Sequence, residues 1–359
     1  MYCPIRTGIR STATSASARG EYCSPTKIGA RSNCLEFPPD GGPPRVVIGG
    51  RRGVGAVDVA GTVLAAVVVD AASTGEIVIV DDAGERQLTN IGGELATAVG
   101  LLPPVEITAT APDGYPVHGW VVRPPGPGMH PVVLLVHGGP FAQYGWALSD
   151  EAQVYARAGY AVVMGNPRGS SGYGWSHGRY VVGDVGARSA PDLLALLDHA
   201  LTAPELDAGR VAVLGGSHGG YMAAWLVAHT DRFRTAISER SINAIDSLLA
   251  TSDIGWAFTS LYGDDPAEHQ RQSPLTYADR ITAPLLIIHS EEDLRCPLEQ
   301  AQRLYYALKR RRAPVHMLVF PGESHELSRS GLPSHRVTRF DAILDWLDRR
   351  LGPEAGPGS

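Results

Sequence analysis

Gly215-Gly216-Ser217-His218-Gly219-Gly220 follows an apolar run at 211–214 and opens a helical stretch lasting to about His229. Strand, turn and helix in that order are the context in which G-x-S-x-G forms a nucleophile elbow. Glycines flank the serine because such a turn is strained and crowded by the strand before it and the helix after it. The turn lifts the Ser217 hydroxyl above the sheet, and the helix N-terminus favours negative charge developing there. A passive serine in a glycine-rich turn is the bland alternative, and the flanking strand and helix argue against it.

Working outward, apolar runs at 131–136, 160–164, 235–238, 284–289 and 315–320 alternate with helical segments at 148–158, 187–201, 298–311 and 334–351. Fully apolar strands alternating with helices imply a mostly parallel sheet covered on both faces. Ahead of it, extended runs at 105–111 and 117–122 are separated by Pro112-Asp113-Gly114, a hairpin signal. An antiparallel hairpin leading into a parallel sheet is the α/β-hydrolase fold, predicted over 103–352.

A serine hydroxyl needs a base with a pKa near 7, which means histidine. In this fold the chain order is Ser, acid, His, each on a loop after a strand. His325 lies just past the 315–320 strand, in Pro321-Gly322-Glu323-Ser324-His325. The other histidines fit less well: His218 is in the elbow, His289 within a strand, and His335 starts a helix. The acid falls in Ser290-Glu291-Glu292-Asp293, past the 284–289 strand. Glu291 and Glu292 compete with Asp293, which is favoured as the residue nearest the loop apex. Acyl transfer also needs two donors aimed at the oxyanion. One is the backbone N–H of His218, and the other comes from His137-Gly138-Gly139-Pro140, immediately after the 131–136 strand.

Between 45 and 102 the texture changes to short β runs at 46–48, 56–59, 63–69 and 77–80, punctuated by Gly49-Gly50, Gly61, Ser73-Thr74-Gly75 and Asp82-Ala83-Gly84. This reads as antiparallel sheet, one propeller blade with part of another. A blade takes about 40–45 residues and a propeller at least four blades, so this stretch cannot close one. The runs at 63–69 and 77–80 are β-prone and nearly uncharged, and an exposed β segment of that kind is expected to self-associate or to be loosely ordered.

Residues 1–44 are rich in Ser, Thr, Ala, Gly and Pro, with Arg6, Arg10, Arg19, Lys27 and Arg31 against Glu21. That composition is shared with transit peptides, but no amphipathic periodicity accompanies it, so a disordered or atypical N-terminus is expected. Residues 353–359 read as a flexible tail. With 44% hydrophobic and 19% charged residues and a formal net charge of −6, the balance is that of a globular domain with no reason to bind nucleic acid or an anionic membrane. No run approaches the ~18 apolar residues of a membrane span. Cys3, Cys23, Cys34 and Cys296 show no zinc spacing and are expected as free thiols of a reduced, cytoplasmic compartment. Cys296 has no activating base beside it and is no rival nucleophile.

Residues 103–352 resemble the catalytic domain of prolyl oligopeptidase-type serine peptidases, most closely the acylaminoacyl-peptidase branch. The resemblance rests on His137-Gly138-Gly139-Pro140, Asn166-Pro167-Arg168-Gly169-Ser170-Ser171-Gly172-Tyr173-Gly174, Gly215 to Met222 and Ser238-Glu239-Arg240. It continues in Ser252-Asp253-Ile254-Gly255, Glu292-Asp293-Leu294-Arg295-Cys296-Pro297 and Phe320-Pro321-Gly322-Glu323-Ser324-His325-Glu326-Leu327. It implies a peptidase that needs no metal or cofactor, cleaving short peptides and releasing an N-acylated N-terminal residue. It also places the Gly139 N–H in the oxyanion hole and Arg295 at the substrate carbonyl on the acyl-donor side, the lesser alternative for Arg295 being a surface ion-pair partner. Such peptidases carry a complete propeller over the active site, whereas only a blade-sized stretch stands here. A carboxylesterase of the same fold, or an inactive fragment acting as a binding module, are therefore the alternatives.

Overall fold

The computed structural model describes residues 15–16 and 22–352; the expectations for 1–14, 17–21 and the tail 353–359 fall outside that range. The chain divides into two units. The first holds residues up to 103 together with 144–150 and 171–175, and the second the remainder. Among the described residues no helix is long and apolar enough to cross a membrane.

In the first unit, Tyr22–Ile28, Arg31–Phe37 and Arg45–Ile48 pair antiparallel in succession. Gly53–Ala60, Val63–Asp70, Ser73–Asp81 and Gly84–Gln87 form a four-stranded meander. A single parallel bridge, Ser32 to Gly53, joins the two groups. The strands at 22–28 and 31–37 lie within the stretch that composition assigned to an atypical N-terminus. Their inward residues include Cys23 and Cys34, which pack with Ile48, Val54, Leu64 and Val78 in one apolar cluster. Buried cysteines among serines, threonines and lysine do not show as a hydrophobic period. Ser73-Thr74-Gly75 begins a strand rather than a turn. The turn falls at residues 71–72, where Asp70 Oδ1 accepts the Ala72 N–H at 2.8 Å. The valine-rich strands Val63–Asp70 and Ser73–Asp81 are each paired on both sides. The strand at the far edge of the meander is Gly84–Gln87, short, exposed and carrying Glu85 and Arg86, a composition that discourages edge pairing.

The second unit is built on eight strands: β1 (Pro104–Thr110), β2 (Pro116–Val122), β3 (His130–Val136), β4 (Ala161–Asn166), β5 (Leu206–Gly216), β6 (Thr235–Glu239), β7 (Leu285–Ser290) and β8 (Val315–Phe320). Their order is β1-β2-β4-β3-β5-β6-β7-β8. β1, β2 and β4 pair antiparallel, and every later pair is parallel. This is the α/β-hydrolase sheet. All residues of β4, β6 and β7 are buried, as covered parallel strands require. The helices that matter for the site are α1 (Asp150–Arg157), α2 (Val185–Ala200), α3 (His218–His229), α4 (Glu299–Arg310), α5 (Leu327–Ser330) and α6 (Pro333–Leu351).

Register aligns the functional loops. Gly215 of β5 stands opposite Val136 of β3 and Ser238 of β6, and Ser290 of β7 opposite Phe320 of β8. The segments bearing His137, Ser217, Arg240, Asp293 and His325 therefore all leave the carboxyl edge of one sheet, where open α/β folds place their ligands. Glu239, at the end of β6, is buried and bonded by both carboxylate oxygens to Arg339 of α6, at 2.5 and 2.6 Å; Glu151 of α1 pairs with the same guanidinium. Removing one member of a buried ion network strands the others uncompensated. Arg339→Leu is expected to destabilise the protein by about 3–5 kcal/mol, read as a lower urea midpoint.

Candidate active site

Ser217 is held at φ 62°, ψ −120°, a conformation an L-residue adopts only under constraint. Two bonds impose it: the Ser217 N–H donates to Glu239 O and its carbonyl accepts from Tyr221 N, each at 2.9 Å. Crowding supplies the rest. A side chain at Gly219 would place Cβ 2.0 Å from Val136 O, so strand and helix approach this closely only with glycine there. The His218 N–H opens α3 one residue after the serine, where the helix dipole favours an oxyanion.

The loop after β3 is fixed separately. His137 is buried and its Nε2 lies 2.9 Å from Ser170 Oγ, which in turn donates to Pro167 O at 2.7 Å. Arg168 anchors that segment through Asp192 and Asp113, with its guanidinium over the rings of Tyr180 and Tyr115. Pro167, Arg168 and Ser170 of the quoted motif thus support the His137–Pro140 loop, a role they do not announce in sequence. Gly139 has φ 125°, and a Cβ there would meet the amides of Phe141 and Ala142 at 2.7 Å.

Asp293 is buried and its two oxygens are divided between backbone and histidine. Oδ1 accepts from Arg295 N at 2.9 Å and from Cys296 N at 2.8 Å. Oδ2 stands 2.7 Å from His325 Nδ1. Of the competing acids, Glu291 accepts the Gly322 N–H at 3.0 Å, and Glu292 is exposed, its backbone N–H donating to Glu323 O. His289 donates from Nε2 to Cys296 O at 2.7 Å, and His335 pairs with Glu323 at 2.7 Å, so neither is free to serve Ser217.

Burial lowers the His325 pKa, against the opposing hydrogen bond and charge of Asp293; Arg240 and Arg329 add to the lowering. Its imidazole is therefore the free base at neutral pH. Among the described residues no hydrogen bond joins Ser217 Oγ to His325. Bonds of this kind commonly tighten only when substrate arrives. Cys296 is fully buried, which pushes its thiol well above the ordinary cysteine range and leaves it protonated.

Arg295 forms a two-point ion pair with Asp253, Nε to Oδ1 at 2.7 Å and Nη2 to Oδ2 at 3.2 Å. Ser252 and Asp253 also clasp this segment through Ser252 Oγ to Arg295 O (2.7 Å) and Asp253 N to Leu294 O (2.9 Å). Asp253 and Ser252 stand in one of the quoted motifs, but nothing in their spacing tied them to Arg295, 42 residues away.

His218 is buried with no partner at Nδ1, and burial with the nearby His137 brings its pKa down to about 3. Unfolded, the same histidine titrates near 6.5. The unfolded chain therefore binds a proton that the folded one refuses, and stability falls as pH drops from about 6.5 toward 3. Urea midpoints should decline between neutral pH and about pH 5, and decline less steeply in His218→Gln.

Among the described residues no group of three or more His, Cys, Asp or Glu side chains is disposed to hold a metal ion.

Comparison with known proteins places this geometry in a wider group. A family profile described as "Prolyl oligopeptidase family" matches residues 146–354, which include Ser217, Asp293 and His325. The uncharacterized peptidase YuxL of Bacillus subtilis (strain 168) is 40% identical over 276 residues, 74% of this chain and 42% of that protein. The human acylamino-acid-releasing enzyme is 32% identical over 241 residues, 64% of this chain and 32% of that one. Among solved structures, the uncomplexed Pyrococcus horikoshii acylaminoacyl peptidase superposes with a TM-score of 0.87 at 31% identity, over 94% of this chain and 55% of its own. The chain thus spans about half the length, or less, of these relatives. With the profile covering more than half of the sequence, including the loops that carry Ser217, Arg240, Asp293 and His325, the chain belongs to the prolyl oligopeptidase family.

Proposed function

We propose that the chain is a serine peptidase that releases an N-acylated residue from short peptides through an acyl-enzyme. The observation that carries this reading is the 2.7 Å bond between His325 Nδ1 and buried Asp293, on the same sheet edge as Ser217 in its constrained elbow. Asp293 accepts from Nδ1–H, which leaves the Nε2 lone pair as the base. Nε2 takes the Ser217 proton as Oγ attacks the acyl carbon, and the carbonyl π electrons move onto oxygen. The His218 and Gly139 amides are the proposed donors to that oxyanion. When it collapses, the C–N bond breaks and the leaving amine takes the proton from Nε2. Water then repeats the sequence on the ester, releasing the acyl-amino acid and returning the proton to Ser217. Arg295, oriented by Asp253, is proposed to donate to a carbonyl on the acyl-donor side. The names of the human and Pyrococcus relatives support N-acylated peptides as the substrate class.

Acetyl-aminoacyl p-nitroanilides and p-nitrophenyl acyl esters separate this reading from a carboxylesterase. Turnover of both supports the peptidase, and turnover of esters alone assigns the site to ester hydrolysis. Because His325 must be neutral to accept a proton, kcat/KM is expected to rise with pH through a single ionisation. Its midpoint should lie below that of an unperturbed histidine, the direction set by burial. A midpoint above about 7 would contradict the role assigned to this imidazole.

A further inference from the structure

Directly after β6, Arg240 occupies the left-handed region at φ 37°, where glycine would be at ease and arginine is not. The backbone around it is tied to the site. Its own N–H donates to Ile288 O at 2.8 Å, and the preceding carbonyl, Glu239 O, accepts the Ser217 N–H. Its side chain reaches two places. The guanidinium lies on Gly216, the residue before the nucleophile, so closely that a Cβ there would sit 2.6 Å from Cζ. Nη2 donates to Ser328 Oγ at 2.8 Å, in α5, three residues beyond His325. No carboxylate pairs with this guanidinium among the described residues: neighbouring Glu239 is engaged by Arg339.

We propose that Arg240 is a positioning residue of the hydrolytic site, clasping the nucleophile elbow at Gly216 to the histidine loop at Ser328 and bringing an unpaired positive charge between them. The inference rests on the functional reading above, since it gives Ser217 and His325 their reaction. The need for a clasp follows from topology. The serine leaves β5 and the histidine leaves β8, with β6 and β7 between them, and the two must meet to within a hydrogen bond.

The charge has a second effect. His325 is faced by Asp293, which favours its protonation, and by Arg240 and Arg329, which oppose it; His289, Asp253 and Glu326 also lie within electrostatic reach. Arg329 is spent on Glu326, and Asp253 on Arg295. Arg240 is then the cation that offsets Asp293 and helps keep the imidazole a free base.

The test is the pH profile of kcat/KM on a p-nitrophenyl ester for the wild type, Arg240→Met, Arg240→Lys and Ser328→Ala, with near-UV circular dichroism as the check on folding. Arg240→Met is expected to move the acid limb to higher pH, so that its loss at about pH 5.5 exceeds its loss on the plateau by a few-fold. Arg240→Lys and Ser328→Ala keep the charge and weaken the clasp; both should leave the limb in place and lower kcat by about three-fold or more. An unmoved limb in folded Arg240→Met overturns the electrostatic part. Wild-type kcat in both Arg240→Lys and Ser328→Ala overturns the clasp, and these two variants decide the matter if Arg240→Met does not fold. A wild-type protein that neither hydrolyses the ester nor takes a fluorophosphonate at Ser217 sinks the hydrolase reading itself, a result distinct from either.

Discussion

Ser217→Ala is expected to lower turnover by on the order of 10⁶ and to abolish fluorophosphonate labelling while the fold persists. The size follows from the proposed triad acting as a unit: without Oγ no bond forms to the acyl carbon, and only binding and the proposed oxyanion donors remain to help water. Persistence of the fold follows from geometry. The elbow is held by backbone bonds from Ser217 to Glu239 and Tyr221 and by glycine contacts, none of which uses the hydroxyl. The strain at φ 62° adds a control that a passive serine would not predict. Ser217→Gly should be as inactive as the alanine variant yet more stable than it, because glycine accepts a positive φ that alanine does not. Equal stability of the two would remove the strain argument. Labelling that survives at another serine in Ser217→Ala would remove the nucleophile.

Much of this site was legible because the chemistry is carried by sequence-local features. The elbow motif needs only six residues. The parallel strands are so uniformly buried that β4 and β7 read directly as largely apolar runs. The order of serine, acid and histidine then follows from the strand each loop leaves. What stayed hidden depends on distant pairs. Arg339 meets Glu239 across 100 residues and Arg240 meets Ser328 across 88, and no periodicity records such contacts. Nor does a sequence show that Arg240 sits at φ 37°, since every such cue is expected at glycine or asparagine. The strands at 22–28 and 31–37 were hidden for another reason: their buried positions are filled by residues such as Cys23, Cys34 and Asn33, not by valine or isoleucine. Between Glu291, Glu292 and Asp293 the sequence offered only position along a loop. They differ in the atoms they meet: the Asp293 carboxylate receives two backbone amides and stands against His325 Nδ1, and the Glu291 carboxylate receives the Gly322 amide.

Those atoms give the second large effect. Asp293→Asn should lower turnover by roughly 10⁴. The two backbone amides of Arg295 and Cys296 both point at Oδ1, so an asparagine placed here must keep its carbonyl oxygen at that position or set N–H against N–H. Its NH₂ then faces His325 Nδ1 and donates to it. An imidazole that accepts at Nδ1 carries its proton on Nε2, and Nε2–H cannot take the proton from Ser217. The variant is therefore inactive through the wrong tautomer while His325 keeps its place, and it should crystallise and unfold much like the wild type. Glu291→Gln and Glu292→Gln provide the contrast. Among the described residues the Glu291 carboxylate accepts one exposed N–H, from Gly322, and Glu292 bonds through its backbone N–H, so each substitution should change kcat by no more than about two- to three-fold. Steady-state turnover of the three variants on one activated ester decides the assignment. A loss in Glu292→Gln equal to that in Asp293→Asn would move the orienting role to the neighbouring carboxylate, and the backbone-locked Oδ1 would then be a structural bond that happens to lie beside the histidine.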